Sequence, residues 1–120
     1  MLTKKLRFHG HGSLRFLYKN ADAHRSRFFT VKAISNPHRK TSRFSVVVSK
    51  KVHKSAVGRN RIRRRIYEAL RQELPNIVEH QDVAIIVTSS EVIVMPYAEL
   101  TESLRDLLTQ AGLLGVANPS

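Results

Sequence analysis

The chain has 120 residues, 42% of them hydrophobic, no cysteine and a formal net charge of +12. That size and composition suit one compact domain with a modest core, and they exclude disulfides, thiolate metal sites and a cysteine nucleophile. The longest strongly apolar runs, residues 83–87 and 92–95, are strand-sized and too short for a membrane span; no long apolar run follows the basic opening Met1-Leu2-Thr3-Lys4-Lys5-Leu6, so a soluble, cytoplasmic protein is expected.

In chain order, residues 1–12, rich in Lys, His and Gly, are expected to be loosely structured. Ser13 is a candidate N-cap for a short helix through Tyr18 or slightly beyond, with Leu14, Leu17 and Tyr18 on one face. Phe28 to Ile34 is aromatic and β-branched enough for a strand. Ser35-Asn36-Pro37-His38 supplies turn chemistry, and Arg43 to Ser49 reads as a second strand whose Val46, Val47 and Val48 suit burial on both faces. These two strands are expected to pair antiparallel. Ser55 is a candidate N-cap for a helix to about Leu74, ended by Pro75, with Ile62, Ile66, Ala69, Leu70 and Leu74 as its apolar stripe. Asp82 to Thr88 follows as a buried strand. Pro96 opens a final helix with Leu100, Leu104, Leu107, Leu108 and Ala111 inward, stopped by Gly112. Helix, two strands, helix, strand, helix predicts an α+β fold, a single-domain α/β sandwich over residues 13–114 with a tail at 115–120.

Charge is unevenly placed. Residues 1–74 carry 20 of the 21 lysines and arginines against Asp22, Glu68 and Glu73, whereas residues 75–120 carry Arg105 against six acids. A polyanion-binding front with an ordinary scaffold behind it fits that asymmetry. The densest stretch is the segment from Ser55 to Arg71. At about 100° per residue, Asn60, Arg64 and Arg71 lie nearly opposite the buried stripe, Arg61, Arg63 and Arg65 flank it, and Arg59 sits nearer it in the first turn. Such crowding is unfavourable by itself. The pairs Arg59/Arg63 and Arg61/Arg65 repel by roughly 0.2–0.5 kcal/mol each, and cations at a helix N-terminus lose roughly 0.3–1 kcal/mol apiece. A bound phosphate reverses both signs, because exposed N–H groups, the helix dipole and forked guanidiniums then point at anionic oxygens. Lys50, Lys51 and Lys54 extend the patch. A strand, not a helix, precedes this segment, which disfavours a helix-turn-helix and major-groove reading.

Ser49-Lys50-Lys51-Val52, Ala56 and Arg59-Asn60-Arg61-Ile62-Arg63-Arg64 together resemble the signature of the bacterial ribonuclease P protein component. The wider pattern is also similar: Leu17-Tyr18-Lys19, Arg27 with Phe29, a strand introduced by Asp82, then Tyr97, Leu100, Leu104 and Leu108, with Ala111-Gly112-Leu113 behind. The resemblance covers roughly residues 13–114. It implies a subunit of a ribonucleoprotein endonuclease that removes the 5′ leader of precursor tRNA by magnesium-dependent hydrolysis, the active site residing in the RNA subunit. Partners are then the ribonuclease P RNA and precursor tRNA, with no membrane; Mg2+ serves the RNA and substrate and needs no dedicated protein site.

On that resemblance, Lys50, Lys51, Lys54, Arg59, Asn60, Arg61, Arg63, Arg64 and Arg65 face RNA. A leader cleft between the first helix and the sheet is implied to include Leu14, Phe16, Tyr18, Arg27, Phe29, Val31 and Lys32. Aromatic faces there would stack unpaired bases at roughly 1–3 kcal/mol each, with core packing the competing role for Phe28, Phe29 and Phe44. Leu14 stands where the family has an aromatic, which Phe16 could replace, and Ala21 stands for a common glycine. The resemblance also implies a left-handed β-α-β crossover, against a general preference for right-handed units of about 98%.

Weaker signals point elsewhere. His9-Gly10-His11-Gly12 reads as a terminus more than a metal tag, and His24, His38, His53 and His80 have no site-like spacing. Ser89-Ser90 lacks the local context of a nucleophile. Tyr67 suits either RNA stacking or half-buried packing. The competing functions are a non-catalytic structural RNA binder, such as a ribosomal protein or RNA chaperone, and a protein-only nuclease, which the dispersed Asp22, Asp82 and Asp106 disfavour.

Overall fold

The computed structural model describes residues 11–36, 42–78 and 80–114, with side chains from residue 16 onward. Its elements run α1 (His11–Asn20), β1 (Asp22–Arg25), β2 (Phe29–Ser35), β3 (Arg43–Val47), α2 (Ala56–Glu73), β4 (Gln81–Val87) and α3 (Tyr97–Gln110), with short 3-10 turns at Leu74–Asn76 and Ser90–Ile93. The expectations for residues 1–10, Pro37, His38, the Leu14 side chain and residues 115–120 lie outside the described residues. The α+β sandwich is as expected.

Several details differ from expectation. Helix α1 begins at His11, so residues 11 and 12 are helical and Ser13 lies inside the helix, not at its cap. Strand β1 was not anticipated, since Asp-Ala-His-Arg has little β-propensity; it is held as an edge by antiparallel pairing to β2. The sheet order is β1-β2-β4-β3. Thus β2 and β3 do not pair with each other. Strand β4 lies between them, antiparallel to β2 and parallel to β3. Its run from Asp82 to Ile85 is buried throughout, so the most apolar strand takes a central position with neighbours on both sides. The apolar residues 92–95 are no strand but the 3-10 turn and its exit.

Register divides the sheet into two faces. Phe29, Val31, Phe44, Val46, Val83 and Ile85 form one face, buried with Ile62, Ile66 and Leu70 of α2 and Leu100, Leu104 and Leu108 of α3. Thr30, Lys32, Ile34, Ala84 and Ile86 look the other way, where Leu17 of α1 packs with Ala84 against Ala21 and Ile34. Asp82 stands at the start of β4, accepting from Arg43 Nε and Nη2 at 2.9 Å each and from Asn36 Nδ2 at 2.9 Å. That hydrogen bonding raises the Arg43 pKa further above its ordinary value.

Helix ends behave as their residues dictate. Ser55 Oγ accepts from the Gly58 amide at 2.8 Å, capping α2. Gly112 adopts φ +75°, the Leu113 amide reaches Leu108 O at 2.9 Å and the Gly112 amide reaches Thr109 O at 3.0 Å, a Schellman close of α3. Arg105 of α3 clasps the buried Glu73 of α2 at 2.9 Å.

Candidate nucleic-acid interface

Helix α2 has two engaged flanks and one open face. On one flank Tyr67 is buried, 6% exposed, and its hydroxyl accepts from the Val46 amide of β3 at 3.3 Å. That placement removes the Tyr67 stacking reading: the ring is core. On the other flank Arg65 donates to Val92 O at 2.6 Å and also to Met95 O. The open face carries Asn60, Arg61, Arg64 and Arg71, all exposed.

The acids expected to offset these cations are occupied. Glu73 pairs with Arg105, and Glu68 pairs with Arg71 at 2.9 Å. The Arg71 contact lowers the Glu68 pKa. No acid lies in the first turn of α2. Of the remaining arginines, Arg59 donates to His53 O at 3.0 Å and Lys54 O at 2.8 Å, and Arg63 donates to Asn60 Oδ1. Arg61 and Arg64 make no hydrogen bond or ion pair among the described residues, so their guanidiniums are the ones presented to a ligand.

The lysine loop is clasped to the start of the same helix. The Val52 and His53 amides return to Ser49 O at 3.1 and 3.3 Å, and the Ser55 amide donates to His53 Nδ1 at 3.3 Å. The His53 ring lies so close to Gly58 that a Cβ there would stand 2.1 Å from its Cε1. With Arg59 gripping two loop carbonyls, Lys50, Lys51 and Lys54 are exposed beside the N-terminus of α2. The loop lysines thus stand at the N-terminus of α2, and the two guanidiniums without partners among the described residues lie along its open face, positive groups on one side of the molecule. Sequence reasoning missed the clasp, although glycine in a first helical turn is a signal for close approach.

The second group divides. Phe16 is 59% exposed and Tyr18 39% exposed on α1. Lys32 reaches across from the sheet, its Nζ donating to Tyr18 O at 3.0 Å and standing 5.3 Å from the ring centroid. Burial pushes the Tyr18 phenol above its ordinary pKa. These three residues lie on the α1 face. Phe29 and Val31 do not: both are fully buried on the opposite face, against α2 and α3. Alternation along β2 is the reason, since Val31 and Lys32 cannot share a face. The α1 face instead carries Thr30 and Ile34 with Lys32 on β2, which period-two reading from Lys32 finds, and Ala84, Ile86 and Ser45 across the sheet, which only strand pairing places. Arg27 lies in the β1–β2 turn, paired with Glu91 at 3.4 Å and 5.4 Å from the Phe28 ring.

Among the described residues, no three His, Cys, Asp or Glu side chains come together as a set able to hold a metal ion, and no helix is long and apolar enough to cross a membrane.

The family model described as Ribonuclease P matches residues 2–112. The ribonuclease P protein component of Chloroflexus aurantiacus is 40% identical over 81 residues, which cover 68% of this chain and 59% of that protein's length. The component from a Pseudanabaena strain is 31% identical over 95% of this chain and 97% of its own length. Among solved structures, the RNase P protein of Staphylococcus aureus superposes with a TM-score of 0.82 at 25% identity, covering 92% of this chain and 98% of that one. The Thermotoga maritima protein shares the fold, with a TM-score of 0.78 at 23% identity over 87% of this chain and 96% of its own.

Proposed function

This chain belongs to the ribonuclease P protein family, and on that footing we propose that it works as the protein subunit of a tRNA-processing ribonucleoprotein endonuclease. The chemistry is assigned to the RNA subunit and Mg2+ to the RNA and precursor tRNA. The chain's own part is binding. The observation that carries this reading is the open face of α2, where Arg61 and Arg64 have no acidic partner among the described residues, beside the clasped Lys50, Lys51 and Lys54.

Two surfaces divide the labour. Lys50, Lys51, Lys54, Asn60, Arg61, Arg63 and Arg64 take the phosphates of the RNA subunit, with Arg59 bracing the loop. The α1 face, with Phe16, Tyr18 and Lys32, takes the single-stranded 5′ leader by stacking and by charge. A cytoplasmic setting follows from that role.

The test is cleavage of a precursor tRNA by a bacterial ribonuclease P RNA at low magnesium, with and without this chain. Marked stimulation is the expected result. Binding without stimulation would instead identify a structural RNA binder, and cleavage by the chain alone would identify a protein-only nuclease.

A further inference from the structure

We propose that the turn bearing Val94 and Tyr97 is a second, apolar part of the RNA-binding surface, and that Arg65 is the positioning residue that holds it beside the arginine face. This rests on the reading of that face as an RNA interface. Arg65 carries the same charge as its neighbours but uses it differently. Its guanidinium donates to the carbonyls of Val92 and Met95, which bracket Val94. Two turns further along the same face of α2, Gln72 Nε2 donates to the Tyr97 hydroxyl at 3.1 Å. The turn is thus tied to α2 at two points two helical turns apart.

Position on the helix then decides what the turn lies next to. At 100° per residue, Val57, Arg61, Gln72 and Arg65 fall within about 80° of the circumference of α2. The turn held by Arg65 and Gln72 therefore borders Arg61, one helical turn from Arg65. Val94 is 80% exposed, Val57 71% and Tyr97 39%. Single exposed apolar residues are ordinary on a protein surface. Here, of the six large hydrophobics exposed among the described residues, these three border one strip that carries Arg61 and Arg65, whose one acid, Glu68, is taken by Arg71.

That combination matches unpaired RNA. Guanidiniums engage phosphates, while a valine and a tyrosine ring offer apolar and stacking contact to sugars and base faces. A protein partner would need an acidic surface to satisfy Arg61 and Arg64, and RNA supplies anion and apolar faces within each nucleotide. RNA is therefore the occupant assigned.

The absence of cysteine makes a direct test simple. Full-length variants Lys54→Cys, Val94→Cys, Tyr97→Cys and Glu102→Cys each carry an aryl-azide probe and are bound to a transcribed bacterial ribonuclease P RNA. Photocrosslinks are expected from 54, 94 and 97, at neighbouring nucleotides, and none from 102. Crosslinks from 54 without any from 94 or 97 overturn the proposal and leave the arginine face standing. Absence at all three positions overturns both readings. Tyr97→Ala is expected to weaken binding about tenfold without changing its salt dependence. Arg65→Ala is expected to abolish the crosslink from 94 and leave that from 54. A log–log salt slope reduced by about 0.7–0.9 in Arg65→Ala would make Arg65 a phosphate ligand and overturn its positioning role.

Discussion

The Tyr67 hydroxyl of α2 accepts a hydrogen bond from the Val46 amide of β3 at 3.3 Å. Strand β3 is the outer strand of the sheet on that side, where an unpaired amide would be a template for another chain. The tyrosine satisfies it from within the same molecule. Tyr67→Phe keeps the ring and strips the acceptor, leaving a buried donor unmatched at a cost of about 1–3 kcal/mol. Urea unfolding should show the loss, with RNA affinity of the folded protein unchanged.

Arg61→Ala and Arg64→Ala should weaken RNA binding with little loss of stability, since neither guanidinium has a partner among the described residues. Each lost phosphate contact should lower the log–log salt slope by about 0.7–0.9. Filter binding across a salt series measures this directly. Unchanged slopes in both variants would take α2 out of the interface.

Gly58→Ala should be less favourable with histidine at position 53 than with alanine there. In the native background the new Cβ meets the His53 ring at 2.1 Å and displaces it, losing the bond to the Ser55 amide, worth about 0.5–1.5 kcal/mol. In a His53→Ala background the same change meets no ring and gains helix propensity of up to about 1 kcal/mol. Thermal melts of the four proteins complete the double-mutant cycle; additivity within about 0.5 kcal/mol would disprove the clasp.

Phe29→Ala and Phe16→Ala should fail differently. Phe29 is fully buried, and its truncation should cost about 3–5 kcal/mol of stability. Phe16 is 59% exposed, so its truncation should stay within about 0.5 kcal/mol while lowering affinity for precursor tRNA relative to leaderless tRNA. Equal loss of affinity for both RNAs would remove Phe16 from leader contact.

Asp82→Ala should destabilise strongly. The Arg43 and Asp82 side chains are 14% and 12% exposed, and withdrawing one partner of such a pair costs about 3 kcal/mol or more. Chemical denaturation reads the change. Asp82→Asn, which keeps a side-chain oxygen as acceptor, should cost less than the alanine.

The α2 and α3 helices were legible because their signals are local. Ser55, Pro75, Pro96 and Gly112 mark ends, and the apolar spacing marks the buried stripe. The crowding of Arg59 to Arg65 was legible for the same reason. Strand partnership was not, because neighbours in sequence need not be neighbours in a sheet. The apolar run at 83–87 outcompeted β3 for the place beside β2 by burying more of both faces.

By itself, the order of residues determined the class of fold, the ends of α2 and α3 and the existence of one cationic face opposite an apolar stripe. Only the folded chain decided which cations are available: Arg59 and Arg65 bind carbonyls, Arg63 binds Asn60, Arg71 binds Glu68, and Arg61 and Arg64 remain open. It also placed Phe29 and Val31 in the core and Lys32 over Tyr18. The physical reason is that helical period is a property of the chain, whereas a guanidinium's partner is a carbonyl or carboxylate up to 64 residues away, brought near only by packing.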